Sequence, residues 1–270
     1  MTWVNGHATT SVDVTDRGLQ YGDGLFETVT CVDGEPRWLA AHLARLRLGC
    51  ERLRIPFRDY DLLVDEIGHA AGAQSRAIVK IIVTRGNSAA RGYAFAGDET
   101  PTRIVSRHEW PSEPADARTR GIAVVTARRT MPADPTLAGI KHLNRLDNVL
   151  AAREATERGV DEILRFDEGG RLICGSMTNV FLVRGESLLT PALDRAGVCG
   201  VMRDRVLRLA EEGGRIAQVK DVDGPDLRAA EGVFLTNVRV GIWPVQRIDD
   251  RELQVPALVR QLQEQLDRHA

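Results

Sequence analysis

Only three of the 36 basic residues in this 270-residue chain are lysines, at Lys80, Lys141 and Lys220; the rest are arginines. The distinction bears on chemistry. A guanidinium keeps its proton, whereas a lysine amine can lose one and act as a base or a nucleophile. A protein that needs an amine therefore has three side chains to choose from. Lys80 lies in the apolar run Ala77-Ile78-Val79-Lys80-Ile81-Ile82-Val83 and reads as the polar face of a strand. Lys220 precedes Asp221 near a turn and reads as a solvated surface charge. Lys141 ends a loop carrying Pro132, Pro135 and Gly139, just before an expected helix, with His142, Asn144 and Arg145 beside it. Functional lysines often sit on loops held by rigid elements. The same position also suits a plain loop lysine, whose charge is mildly unfavourable at a helix start.

Three further features can hold an anion. Gly197-Val198-Cys199-Gly200-Val201-Met202-Arg203 places two glycines before an expected helix, and such a turn can aim backbone N–H groups at a phosphate. It reads equally as an ordinary turn. Arg45, in His42-Leu43-Ala44-Arg45-Leu46, can give a phosphate a paired hydrogen bond or stand on a surface. Thr236-Asn237 follows the apolar strand Val233-Phe234-Leu235 and offers a hydroxyl and an amide to an anion or to a local turn. One amine and several phosphate contacts together suit pyridoxal phosphate (PLP). The cysteines Cys31, Cys50, Cys174 and Cys199 show no C-x-x-C spacing, so neither a zinc site nor a disulfide framework is expected.

These residues need elements to position them. In the first half, strands are expected at 25–32, 77–84 and 102–107 and helices at 42–54 and 60–71, the first helix stopped by Pro56. The stretch Trp110-Pro111-Ser112-Glu113-Pro114-Ala115-Asp116 reads as a linker, giving a smaller domain at 1–115 and a larger one at 116–270. In the second half a strand at 122–126 and a helix at 143–158 precede strands at 162–166, 171–174, 179–183 and 187–190. Helices at 203–211, 225–230 and from 255 onward alternate with strands at 216–219, 233–235 and 241–245. Runs of strands broken by isolated helices give an α+β class. The 43% apolar content supports a core without staples. A formal charge of −2 argues against a nucleic-acid binder. No run of about 18 apolar residues suggests a membrane span, and Met1 to Gly6 lacks the parts of a signal peptide. A soluble cytoplasmic protein is expected.

The segments Asp16-Arg17-Gly18, Tyr21-Gly22-Asp23-Gly24-Leu25-Phe26-Glu27, His42-Leu43-Ala44-Arg45-Leu46, Gly139-Ile140-Lys141, Asn179-Val180-Phe181, Gly200-Val201-Met202-Arg203 and Pro244-Val245 occur in order along nearly the whole chain. In this arrangement the chain resembles the two-domain fold-type IV PLP enzymes, the group of the branched-chain and D-amino-acid aminotransferases. Ala138-Gly139-Ile140-Lys141-His142-Leu143-Asn144-Arg145-Leu146, Arg91-Gly92-Tyr93 and the short length resemble the lyase branch of that group.

The resemblance implies conversion of 4-amino-4-deoxychorismate to 4-aminobenzoate and pyruvate, in folate biosynthesis, by a homodimer. The rivals are an aminotransferase for D- or branched-chain amino acids and a non-catalytic member. The resemblance further implies that Lys141 holds PLP as a Schiff base and shuttles protons, and that Arg45 binds the phosphate with help from Gly200, Val201, Met202, Thr236 and Asn237. Glu27 is placed near the lysine, and Arg91, Tyr93 and Arg107 on the substrate side. One position departs from the pattern. Five residues before Asn179 the family has a glutamate that pairs with the pyridine nitrogen, and here that residue is Cys174. A neutral thiol supports a cationic ring poorly. That loss is tolerable for a lyase whose product gains an aromatic ring, and damaging for amino transfer.

Overall fold

A computed structural model of the chain describes residues 1–88, 92–97, 99–112 and 116–268. It divides into two compact units: Met1–Ser112 with Ile140–Asn144, and Glu113–Gly139 with Arg145–Ala270. The division expected at 115 leaves Lys141 with the second half of the chain. Here Ile140–Asn144 groups with the first unit instead.

The first unit contains β1 (Thr2–Val4), β2 (His7–Ala8), α1 (Arg17–Tyr21), β3 (Gly24–Val32), β4 (Glu35–Pro36), α2 (Leu39–Leu53), α3 (Tyr60–Ala71), β5 (Arg76–Thr84) and β6 (Thr102–His108). Among the described residues these strands form one six-stranded antiparallel sheet in the order β2-β1-β6-β5-β3-β4. Alternation along the strands sorts its two faces. Val29, Cys31, Val79, Ile81, Val83 and Val105 are fully buried on the face against which α2 and α3 pack. Phe26, Thr28, Lys80, Ile82 and Ile104 occupy the opposite face and are only half-buried.

The second unit contains β7 (Ile122–Thr126), α4 (Leu146–Glu157), β8 (Glu162–Phe166), β9 (Leu172–Cys174), β10 (Asn179–Arg184), β11 (Ser187–Pro191), α5 (Val201–Glu212), β12 (Ala217–Lys220), α6 (Gly224–Ala229), β13 (Gly232–Asn237), β14 (Gly241–Ile248), β15 (Arg251–Glu252) and α7 (Ala257–Arg268). Its sheet runs β12-β11-β10-β13-β14-β7-β8-β9, with β15 on β14. Val180, Leu182, Val233, Leu235, Val245, Val124 and Leu164 meet in one apolar core on one side of this sheet. Val125, Ala151, Ala155 and Ile163 form a smaller cluster under α4 on the other. The central strands β10 and β13 are buried on both faces, which explains why they read as continuous apolar runs rather than as alternation.

The helix expected from 143 begins only at Leu146. The preceding residues are held extended: Phe26 N–H donates to the Lys141 carbonyl and Leu143 N–H to the Gly24 carbonyl, both at 2.9 Å. The edge of β3 thus takes up backbone groups that a further helical turn would otherwise use. The short helix α1 escaped the periodicity reading. Asp16 caps it by accepting from Gly18 N–H at 2.7 Å, and Gly22 ends it at φ +66°.

Candidate active site

Pairing with β3 fixes the backbone from the Lys141 carbonyl to Leu143 N–H. The Lys141 ammonium lies 4.3 Å from the centroid of the Phe26 ring, on the half-open face of the first sheet. Lys80 Nζ stands 5.6 Å from the same ring. Lys80 had read as a structural strand residue. Its neighbours in sequence are apolar, and only the β3–β5 register brings it beside Phe26. No carboxylate lies within ion-pairing distance of it among the described residues.

Behind Phe26, on the helix-covered face, Glu27 is 1% exposed and fully engaged. Arg45 donates to both its oxygens, Nε to Oε1 at 2.7 Å and Nη2 to Oε2 at 2.6 Å, and His42 Nδ1 lies 2.7 Å from Oε2. Burial alone would raise the Glu27 pKa; the charge and hydrogen bonds of Arg45, with His42, hold it down at about 2. Burial pushes the His42 pKa below its ordinary value against the pull of Glu27. His42 is therefore neutral and donates a hydrogen bond from Nδ1–H to the Glu27 carboxylate. Glu27 thus aims Arg45, and its own acceptors are taken.

Among the substrate-side expectations, Arg91 lies outside the described residues. Tyr93 is 84% exposed, with its ring edge-on to Tyr21 at 5.4 Å. Arg17 steadies its backbone by donating to the carbonyls of Gly92, Tyr93 and Ala94. Arg107 falls on the other side of the sheet. It shares its face with Val105 and stands opposite Val79, so it points away from Phe26 and Lys141. Strand alternation, which sets one residue's side chain up and the next one down, is the reason.

The second unit carries the remaining candidates. Asn179 Nδ2 donates to the Val198 carbonyl at 2.9 Å and steadies the turn entering α5. A Cβ at Gly200 would overlap Asn179 Oδ1, so the close approach requires glycine there. Helix α5 begins at Gly200 with no side-chain cap, leaving the first-turn N–H groups of Val201 and Met202 without one. Thr236 stands opposite Asn179 in the β10–β13 ladder, is fully buried, and its Oγ1 has no hydrogen-bond partner. An uncapped helix start beside an unsatisfied buried hydroxyl fits a phosphate. Asn237 does different work: its Oδ1 accepts from Arg239 and Val240 N–H and closes the following turn.

Cys174 is buried among Met131, Ile173, Leu193 and Ala196. Burial pushes its thiol up to about 11, so it is neutral. Glu162 is a residue that sequence reading missed. Fully buried at the start of β8, it accepts from Ser176 N–H, Met177 N–H and Thr178 Oγ1 at 2.8, 3.1 and 3.0 Å. It shapes the loop between Cys174 and Asn179. A carboxylate inside an otherwise apolar strand pattern was the available signal.

The chain is similar along its length to known proteins. The model of the family described as amino-transferase class IV matches residues 24–248. The chain is 33% identical to an aminodeoxychorismate lyase of Vibrio harveyi, over 99% of this chain and 100% of that protein. It is 29% identical to a D-alanine aminotransferase of Bacillus licheniformis over 90% of this chain and 85% of that one. The crystal structure of 4-amino-4-deoxychorismate lyase from Pseudomonas aeruginosa is similar with a TM-score of 0.95 and 41% identity, covering 99% of this chain and 98% of that one. The branched-chain amino acid aminotransferase of Escherichia coli shares the fold with a TM-score of 0.88 at 22% identity, over 98% and 92% of the two chains. With the β3-pinned lysine, the glycine-started α5 and the full-length likeness in agreement, the chain belongs to the amino-transferase class IV family.

Proposed function

We propose that the protein is a PLP-dependent lyase that converts 4-amino-4-deoxychorismate to 4-aminobenzoate and pyruvate, working as a homodimer in the cytoplasm. The observation that carries this reading is Lys141, pinned to the edge of β3 with its amine over Phe26 on the open face of the sheet. Likeness to lyases along the full chain supports it over amino transfer. Bound PLP supplies the electron sink for the reaction. Lys141 Nζ holds the cofactor and, when free as a neutral amine, takes the proton from the substrate carbon that bears nitrogen.

Arg45, aimed by Glu27, is assigned to the phosphate in the first unit. The N–H groups of Gly200, Val201 and Met202 and the Thr236 hydroxyl are assigned to the same group in the second, with Asn237 shaping the adjoining turn. Lys80 is assigned to a substrate carboxylate, because it is a half-buried cation on the face that carries Lys141. Arg91 and Tyr93 are assigned to the substrate side, whereas the facing of Arg107 removes it from that set. No helix among the described residues is long and apolar enough to cross a membrane.

The test is pyruvate release from 4-amino-4-deoxychorismate by purified, PLP-loaded protein. Wild type releases pyruvate and shows the absorbance of lysine-bound cofactor; Lys141→Ala loses both. Lys80→Met raises KM about tenfold with little change in kcat, as expected for a lost charge-assisted contact. Amino transfer to a keto acid without pyruvate release would make the protein an aminotransferase. No cofactor absorbance at all would make it a non-catalytic member.

A further inference from the structure

We propose that Arg165 contacts the cofactor, donating its guanidinium to the pyridine nitrogen of bound PLP and so keeping that nitrogen unprotonated. The inference rests on the PLP reading above and adds a residue and a protonation state to it.

Arg165 lies on β8 and is 1% exposed. Its Nη1 has no hydrogen-bond partner, and no carboxylate is within ion-pairing distance of the guanidinium among the described residues. The other arginines buried among the described residues are accounted for. Arg203 donates to Thr190 Oγ1 and to the Pro191 carbonyl, and Arg17 and Arg85 share Asp23. A charged group taken out of water without a partner is strongly unfavourable. Its retention points to an acceptor that arrives with a ligand.

The strand geometry says where that acceptor lies. Arg165 is the cross-strand partner of Cys174, and the register between β8 and β9 slips by one residue just beyond this pair. Leu164, Phe166 and Leu172 stay with the main core. Through the slip, Ile173 and Cys174 both leave it for a second cluster with Met131, Leu193 and Ala196. Such bulges re-aim side chains beside functional sites. Arg165 therefore shares a face with the residue whose position the family resemblance places at the pyridine nitrogen. Cys174 is a neutral thiol 3.8 Å from Met131 Sδ and offers no charge to either neighbour. Glu162, the carboxylate on the same strand, is committed to the 175–178 loop.

With the phosphate assigned to Thr236 and α5, the acceptors left on the cofactor are its ring nitrogen and its phenolic oxygen, and the pairing with Cys174 selects the nitrogen. A guanidinium has donors only and does not give up its proton. It can meet the nitrogen solely through the lone pair of an unprotonated ring. Such a ring is a weaker electron sink, which suits a reaction helped by aromatisation of its product and disfavours amino transfer.

The experiment loads purified protein with PLP labelled with 15N at the ring. Wild type, Arg165→Met, Arg165→Lys and the double variant Arg165→Met/Cys174→Glu are compared by 15N NMR, by cofactor affinity and by apo melting temperature. In wild type the ring resonance is expected in the neutral-pyridine range, and in the double variant in the pyridinium range. Arg165→Met weakens PLP binding about tenfold or more, the loss of one charge-assisted hydrogen bond. It also raises the melting temperature of the apo protein, which a merely structural arginine would not do. Arg165→Lys, which keeps the charge, falls between. A pyridinium resonance in wild type, or unchanged PLP affinity in Arg165→Met, overturns the proposal while leaving the lyase reading standing. Failure of every protein, wild type included, to take up PLP overturns both.

Discussion

The molecule buries charge in two ways. In the first unit Glu27, Arg45 and His42 form a paired set: the carboxylate accepts from both partners in three bonds of 2.6–2.7 Å. In the second unit Arg165 is as deeply buried and has no counter-charge among the described residues. The first arrangement pairs its charges within its own unit, with only His42 Nε2 in the set left without a partner, so it stabilises the folded chain and sets the direction of Arg45. The second costs stability in the free protein and is completed only by what binds. Satisfied buried charge positions a site, whereas unsatisfied buried charge reports a ligand.

Arg45→Met would break the contrast most sharply. It leaves Glu27 buried with a neutral histidine, and urea unfolding of the apo protein should show a loss of about 3–5 kcal/mol. A loss near zero would mean that the first set is no more self-contained than the second.

Acid offers a second probe. The Glu27 pKa is depressed to about 2 from an ordinary 4.5, so its contribution is fully present above 4.5 and disappears as pH falls towards 2. It amounts to about 3 kcal/mol, at about 1.4 kcal/mol per pKa unit. Melting temperatures followed through that window should fall more steeply for wild type than for Glu27→Gln. Parallel curves would count against the pairing.

Glu162→Gln tests a satisfied carboxylate in the second unit. It weakens the acceptor for Ser176 N–H, Met177 N–H and Thr178 Oγ1, with an expected cost of about 1–3 kcal/mol in chemical unfolding. The smallest effect has the opposite sign. Arg165→Met should stabilise the apo protein by about 1 kcal/mol, a rise in melting temperature of about 2–4 °C. A destabilised apo variant would show that Arg165 already has what it needs within the fold.

Much of the scaffold is legible from residue order. The strand of 77–84 and the helix of 60–71 follow from alternation and from a helical period, and the structure has β5 at Arg76–Thr84 and α3 at Tyr60–Ala71. Residues 143–145 were less legible. Their composition suits a helix start, yet the free edge of β3 takes up the chain from the Lys141 carbonyl to Leu143 N–H. Local propensity lost there to pairing with residues more than a hundred positions away. Arg107 shows the same limit at one position. Its type suits a carboxylate, but which face of β6 it occupies depends on the sheet around it.

By itself the sequence singled out Lys141, of three lysines, as the one that ends a loop just before an expected helix, and it set glycines before α5. These follow from side-chain chemistry and from neighbours along the chain. The tertiary structure alone decided that Lys80 and Lys141 both meet Phe26, that Glu27 belongs to Arg45, and that Arg165 faces Cys174 without a counter-charge among the described residues. The pairing of Glu27 with Arg45 depends on the packing of α2 on β3, the place of Lys80 on the β3–β5 register, and the last on a one-residue slip between β8 and β9. Register is set by how whole faces of a sheet bury their apolar side chains, and no short stretch of sequence contains that information.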